Sequence, residues 1–269
     1  MDDKPINILL IEDNPGDTRL IQEMLMEDKD FSFSLHRFDQ LSHGLDHITK
    51  GGIDIVLLDL SLPDSQGMTT FEKLYSHASG VPIIILTVFD DEMIAVKAVQ
   101  KGAQDFLIKG QVNSYLLIRS IRYAINRKQA EETLRASHRF LEITNRHIEM
   151  SPLLQEFVAE VKMFTGCVAV GIRILDEEGN IPYQAYEGFT QEFFQLENPL
   201  SINQGPGMCL MVTKGTTDPA LPFFTEGGSF YVNGTTRFLA TASEEYLKRT
   251  RNVCNQFGYE SVALIPIRS

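Results

Sequence analysis

Short apolar runs alternate with amphipathic stretches along the first part of the chain. The runs cover residues 6–11, 31–38, 53–58, 83–86 and 106–108, each of strand length and rich in Ile, Val, Leu and Phe. Between them, residues 18–27, 41–50, 68–76 and 91–101 show helical spacing, and a fifth such stretch begins at Val112. A five-fold strand-helix alternation of this kind predicts a parallel sheet covered by helices on both faces. Right-handed crossovers then leave a crevice at the carboxyl ends of the strands, where function is expected.

The residues at those ends are polar. Glu12 and Asp13 follow the first run, Asp59 the third, Thr87 the fourth and Lys109 the fifth. Carboxylates crowded into a half-buried place repel one another unless a cation holds them. A divalent, oxygen-seeking ion such as Mg²⁺ suits Glu12, Asp13 and Asp59, because it takes one or two carboxylates, keeps waters and leaves room for a phosphoryl oxygen. Lys109 adds a positive charge and Thr87 a hydroxyl donor for the same oxygens.

This set resembles the receiver domain of bacterial two-component response regulators. The resemblance covers about 125 residues and implies a five-stranded, doubly wound, flavodoxin-like sheet over residues 1–126. It implies that Asp59 accepts a phosphoryl group from a sensor histidine kinase and that Glu12, Asp13 and Asp59 hold Mg²⁺. Thr87 and Lys109 would bind the phosphoryl group, and Phe106 matches the aromatic switch position. Two departures stand out. Gly110 replaces the proline that usually follows the lysine, and a glycine does not favour a cis bond. Ser61 and Phe89 occupy the positions that tune how water reaches the acyl phosphate, with bulky Phe89 expected to screen it.

From Val112 the chain runs without Gly or Pro as far as Pro152, which predicts a long helix and a signalling linker over 127–150. Leu134, Leu141 and Ile148 repeat at seven, beside Ala130, Ser137 and Thr144. This is a weak seam, compatible with a homodimer rod or with a solvated helix. His147, in RHIEMSPLL, faintly resembles a kinase phosphoacceptor, but no nucleotide-binding boxes follow it.

Beyond Ser151 the pattern changes. A helix over 152–164, a hairpin from 168–175 and 181–186 around DEEGN, loops rich in Gly and Pro from 205 to 234, a helix starting near Ser243 and a strand over 261–267 are expected. This α+β order, with the stretches FTGCVAVGIRILDEEGNIPYQAYEGF and GYESVALIPIR, resembles a GAF sensory domain with an antiparallel sheet over residues 151–269. The family usually continues with a further strand and helix, so the chain is expected to be a fragment without its output module. An unknown small ligand is implied. Phe223, Phe224, Phe230, Tyr231 and Phe238 could wall its pocket or form core.

Composition narrows the classes. The 269 residues are 43% hydrophobic and 22% charged, enough for two compact domains. Net charge is −12, with −8 in residues 1–126 and −4 in the rest, so no basic face for nucleic acid is expected. No run approaches the roughly 18 apolar residues of a membrane span, and three unpaired cysteines, Cys167, Cys209 and Cys254, fit a reducing compartment. The expectation is a cytoplasmic phosphorelay protein and not an enzyme. Two rivals remain: a Mg²⁺-dependent phosphatase with Asp59 as nucleophile, though Ser61 replaces its usual second Asp, and a ligand-sensing module whose receiver serves only as a dimer contact.

Overall fold

The computed structural model describes residues 5–78, 80–88, 91–205, 207–242 and 250–267. Expectations for Phe89 and for the start of the helix near Ser243 lie outside the described residues. The chain divides into two compact units, residues 1–137 and 138–269.

In the first unit, strands β1 (Ile6–Ile11), β2 (Phe33–Phe38), β3 (Ile55–Asp59), β6 (Ile83–Thr87) and β7 (Asp105–Ile108) form one parallel sheet in the order β2-β1-β3-β6-β7. Successive residues point to opposite faces, and each face has its own core. Leu9, Ile11, Val56, Leu58 and Ile85 pack with Leu41, Phe71, Leu74, Ala95 and Ala98 of helices α2 (Leu41–Ile48), α3 (Met68–His77) and α4 (Glu92–Gln100). On the other face Ile8, Leu10, Ile55, Leu57 and Leu86 meet Ile21, Leu25, Leu117 and Ile121 of helices α1 (Pro15–Glu27) and α5 (Ser114–Arg146). The three central strands thus bury both faces, as an apolar run without alternation predicts. Gly44 lets α2 lie against the sheet, since a Cβ there would come within 2.4 Å of Ile11 Cδ1.

Two local features depart from the pattern read in the sequence. Helix α1 starts three residues earlier than its apolar spacing indicates, because Asn14 caps it by accepting the Gly16 and Asp17 amides and Pro15 occupies its first turn. After β3, the strands β4 (Ser61–Leu62) and β5 (Ser65–Gln66) make a tight antiparallel hairpin. At its tip Asp64 accepts the Leu41 and Ser42 amides, both at 2.9 Å, and ties the loop after Asp59 to the start of α2.

Helix α5 ends at Arg146 instead of running to Pro152, and α6 (Met150–Thr165) begins four residues later. No Gly or Pro causes the break; contacts between the two helices accompany it. Phe140 and Phe157 meet in a tilted contact with ring centroids 4.8 Å apart, Arg139 pairs with Glu160 at 3.1 Å, and Glu156 receives both Arg146 and His147. The seven-residue row is exposed: Leu134, Leu141 and Ile148 are among the most accessible large apolar side chains of the described residues.

The second unit contains two antiparallel pairs among the described residues. One joins β8 (Val170–Arg173) to β9 (Tyr183–Glu187), and the other joins β10 (Phe230–Asn233) to β11 (Ser261–Leu264). Besides α6 it holds helices α7 (Gln191–Glu197), α8 (Met208–Lys214) and α9 (Thr235–Thr241) and a short helical turn at Val253–Gln256. The hairpin around DEEGN forms as expected, with Asp176 Oδ1 accepting the Glu178 and Asn180 amides. The segment from 205 to 234, expected as loops, also holds α8 and β10. Met208 and Val212 of α8 and Phe230 of β10 make a small core with Phe224, and Phe223 packs beside it. Among the described residues no helix is long and apolar enough to cross a membrane.

Candidate functional site

Parallel pairing brings the polar residues at the strand ends together. Asp59 is the last residue of β3 and is 7% exposed. Its Oδ1 accepts the Ser61 amide at 3.0 Å, and its Oδ2 accepts Lys109 Nζ at 2.6 Å across 50 residues of chain. Glu12, one residue past β1, is 4% exposed, whereas Asp13 faces solvent. One oxygen from each of Glu12, Asp13 and Asp59 lies within 4.8 Å of the others.

Lys109 is the electrostatic centre of the cluster. Its Nζ lies 2.7 Å from Glu12 Oε2, 2.6 Å from Asp59 Oδ2 and 3.0 Å from Asp17 Oδ2. Burial works against the ammonium, but its bonds to Asp59 and Glu12 outweigh that cost and its pKa is raised. Burial pushes the Glu12 carboxyl up to about 7; the Lys109 contact opposes this and the Asp59 charge adds to it. Glu12 Oε2 is also fully buried and has no aligned hydrogen-bond donor, since Lys109 approaches it as an ion-pair partner off the hydrogen-bond direction. An oxygen so placed, beside two further carboxylates, fits a hard dication.

Thr87 ends β6 and is 2% exposed. Its hydroxyl donates to the Val88 carbonyl at 3.1 Å, while its own carbonyl accepts the Lys109 amide at 2.7 Å, which fixes the spacing of the two residues. Phe106, on β7, is half-buried and packs against the α2–α4 side of the sheet. Gly110 has φ +81°, a conformation strained for any residue with a side chain, and no peptide bond among the described residues is cis. All six residues singled out in the sequence, Glu12, Asp13, Asp59, Thr87, Phe106 and Lys109, therefore lie on or just past the strands expected to carry them. Asp17 was not anticipated. It lies in the first turn of a helix, where an acid ordinarily serves the helix end, and its partner is 92 positions away.

The second unit buries a different polar group. Arg173 donates to the carbonyls of Ile181 at 2.6 Å and Glu197 at 2.7 Å, and its guanidinium lies 3.7 Å from the centre of the Tyr183 ring. Glu197 is 4% exposed and pairs through Oε1 with Arg251 at 3.1 Å. Glu197, Arg251, Asn252, Cys209 and Cys254 line a cavity of about 70 Å³, whose other walls include Phe230 and Phe238. Of the five aromatics expected around this region, Phe224 and Phe230 are buried, and Tyr231 is exposed. Burial raises both thiols, Cys254 to about 12.

Comparison with known proteins agrees with the first unit. Residues 8–121 match the family described as response regulator receiver domain. Over 125 residues the chain is 33% identical to the swarming motility regulation protein RssB of Serratia marcescens, covering 46% of this chain and 55% of that protein. Over 109 residues it is 31% identical to the transcriptional regulatory protein GlrR of Escherichia coli, covering 40% of this chain and 24% of the relative. The chain therefore spans from a quarter to about half the length of these relatives. A solved receiver domain protein from Clostridium thermocellum is 28% identical, covers 46% of this chain and 98% of its own, and superposes with a TM-score of 0.42. With the sheet order, the carboxylate cluster and the lysine already in place, the family match identifies the first unit: residues 8–121 form a response regulator receiver domain.

Proposed function

We propose that Asp59 accepts a phosphoryl group from the phosphohistidine of a sensor kinase, and that Glu12, Asp13 and Asp59 hold the Mg²⁺ this transfer requires. The observation that carries this reading is the Lys109 ammonium 2.6 Å from Asp59 Oδ2, beside three carboxylates whose oxygens converge within 4.8 Å. When bound, the ion supplies charge neutralisation for the transferring phosphoryl oxygens. The chain's own residues do the rest. The Ser61 amide orients the Asp59 carboxylate, one of whose oxygens attacks phosphorus while the imidazole of the donor departs. Lys109 then faces the new phosphoryl oxygens. The Thr87 hydroxyl rotates from the Val88 carbonyl to donate to them, and Phe106, half-buried on the neighbouring strand, moves into the space released.

The receiver accepts one phosphoryl group per Asp59 and is not a multiple-turnover phosphatase. The place where haloacid-dehalogenase-like phosphatases usually carry a second acid holds Ser61, whose amide serves Asp59. The second unit is a GAF-like module that senses a small ligand and receives the receiver's signal through α5. Its cavity has room for roughly five to seven waters or a molecule of similar bulk. Within that wall Asn252 Oδ1 is a buried acceptor without a donor, which favours a compact ligand bearing an N–H or O–H group. The protein acts in the cytoplasm, binds neither nucleic acid nor membrane, and pairs as a homodimer along the exposed row of α5.

The test is incubation of the full chain with Mg²⁺ and acetyl phosphate, followed by intact mass. A single adduct, stable to acid and labile to base, is expected for the wild type and absent from Asp59→Asn. Rapid turnover of the donor without an adduct would establish the phosphatase instead, and no reaction at all would leave the dimer-contact reading.

A further inference from the structure

The crowding at Lys109 poses a problem for any cation that enters the site. Its ammonium already occupies the space in front of Glu12 Oε2 and Asp59 Oδ2, at 2.7 and 2.6 Å. Those residues supply two of the three carboxylates that converge. A dication at that cluster meets a like charge within a few ångströms, in a place where the lysine side chain is only 14% exposed and solvent screens poorly. Binding therefore requires Lys109 to give up Glu12 and Asp59. An ammonium withdrawn from two buried carboxylates needs another partner or open water.

Asp17 is such a partner. Its Oδ2 is already 3.0 Å from Nζ, its side chain is 32% exposed, and it is not one of the three converging carboxylates. Its backbone is fixed independently of the site, because its amide is capped by Asn14 Oδ1 at the start of α1. We infer that Asp17 is a positioning residue that retains Lys109 beside the acceptor when a divalent cation takes Glu12, Asp13 and Asp59, and that it thereby sets the affinity of the site for that cation. The inference rests on reading those three residues as the cation's ligands. Its chemistry is an exchange of partners only: Lys109 keeps its proton and one carboxylate throughout.

The experiment is calorimetric titration of the full-length protein with Mg²⁺ for wild type, Asp17→Asn and Asp17→Glu, alongside the Mg²⁺ dependence of phosphorylation by acetyl phosphate. Asp17→Asn leaves Lys109 no seat except the cation's own ligands, so Mg²⁺ binding is expected to weaken about tenfold. Its phosphorylation defect is expected to recover as Mg²⁺ is raised, a split that a general loss of structure does not produce. Asp17→Glu restores binding to within about threefold of wild type. Because Asp17 acts through Lys109, the same Asp17→Asn change made in a Lys109→Met background is expected to shift Mg²⁺ affinity much less. Unchanged Mg²⁺ affinity in Asp17→Asn, or an equal loss in both backgrounds, overturns the inference. Failure of the wild type to form any adduct would instead sink the phosphoacceptor reading, while the calorimetric comparison would still decide the role of Asp17.

Discussion

The two units place their polar chemistry in opposite ways. In the receiver β3 and β6 are apolar and buried up to their last residue, and the charged groups gather at the carboxyl ends of the strands. In the second unit the strands are half-exposed, and charges and thiols sit between them: Glu197 is buried and Arg173, Cys209 and Cys254 are half-buried, while alternate residues of β11 face solvent. A sheet buried on both faces has nowhere to carry a functional group except its edge, so its site can be read from strand ends. A unit whose strands cover only one side can set a polar group anywhere between layers, and no position along the chain marks it.

Three measurements bear on that contrast. The largest effect is expected from thiol alkylation of the native protein near pH 8. A thiol whose pKa is raised by burial stays protonated until the pH approaches the raised value, so at pKa about 12 only about one Cys254 in ten thousand is thiolate. Exposed Cys167 should react at least about a hundredfold faster than Cys209 or Cys254. Comparable rates, read by peptide mapping, would show that the interior of the second unit is open.

Next in size is a pair of truncations. Leu57→Ala, at a fully buried position of β3, should cost about 3–5 kcal/mol, whereas Val262→Ala, on half-buried β11, should cost about 1 kcal/mol. Equal losses in chemical denaturation would erase the distinction between the two cores. The smallest effect concerns a local device: Thr190 Oγ1 accepts the Phe193 amide at 3.2 Å and caps α7, so Thr190→Ala should lose about 1 kcal/mol. A thermal-melt series that includes Thr190→Ser, expected to retain most of the stability, separates the cap from its surroundings.

The same contrast explains how much could be read in advance. Strands β1, β3 and β6 were legible because apolar runs between amphipathic stretches have few alternative arrangements, and their register then dictated where Asp59, Thr87 and Lys109 would meet. The β4–β5 hairpin was invisible, since Ser61–Leu62 and Ser65–Gln66 are too short to show a period. Asp17 escaped because its importance lies in a partner on the last strand and not in its local pattern. The break after Arg146 escaped for a related reason: residues 147–149 contain no helix breaker, and the turn is accompanied by the tilted contact of Phe140 with Phe157 and the ion pairs around Glu156. In the second unit α8 and β10 were obscured by the glycines and prolines around them, which mark the turns accurately but hide how short the intervening elements are.

The depth at which Lys109 is held has a consequence for the surroundings in which the receiver works. Surface pairs such as Arg19–Glu23 and Lys101–Glu72 stand in water and fade as ionic strength rises. The ammonium among Glu12, Asp17 and Asp59 is largely beyond the reach of mobile ions. Osmotic or saline stress can therefore rearrange the outer charges of the molecule while leaving the charge balance around Asp59 nearly constant.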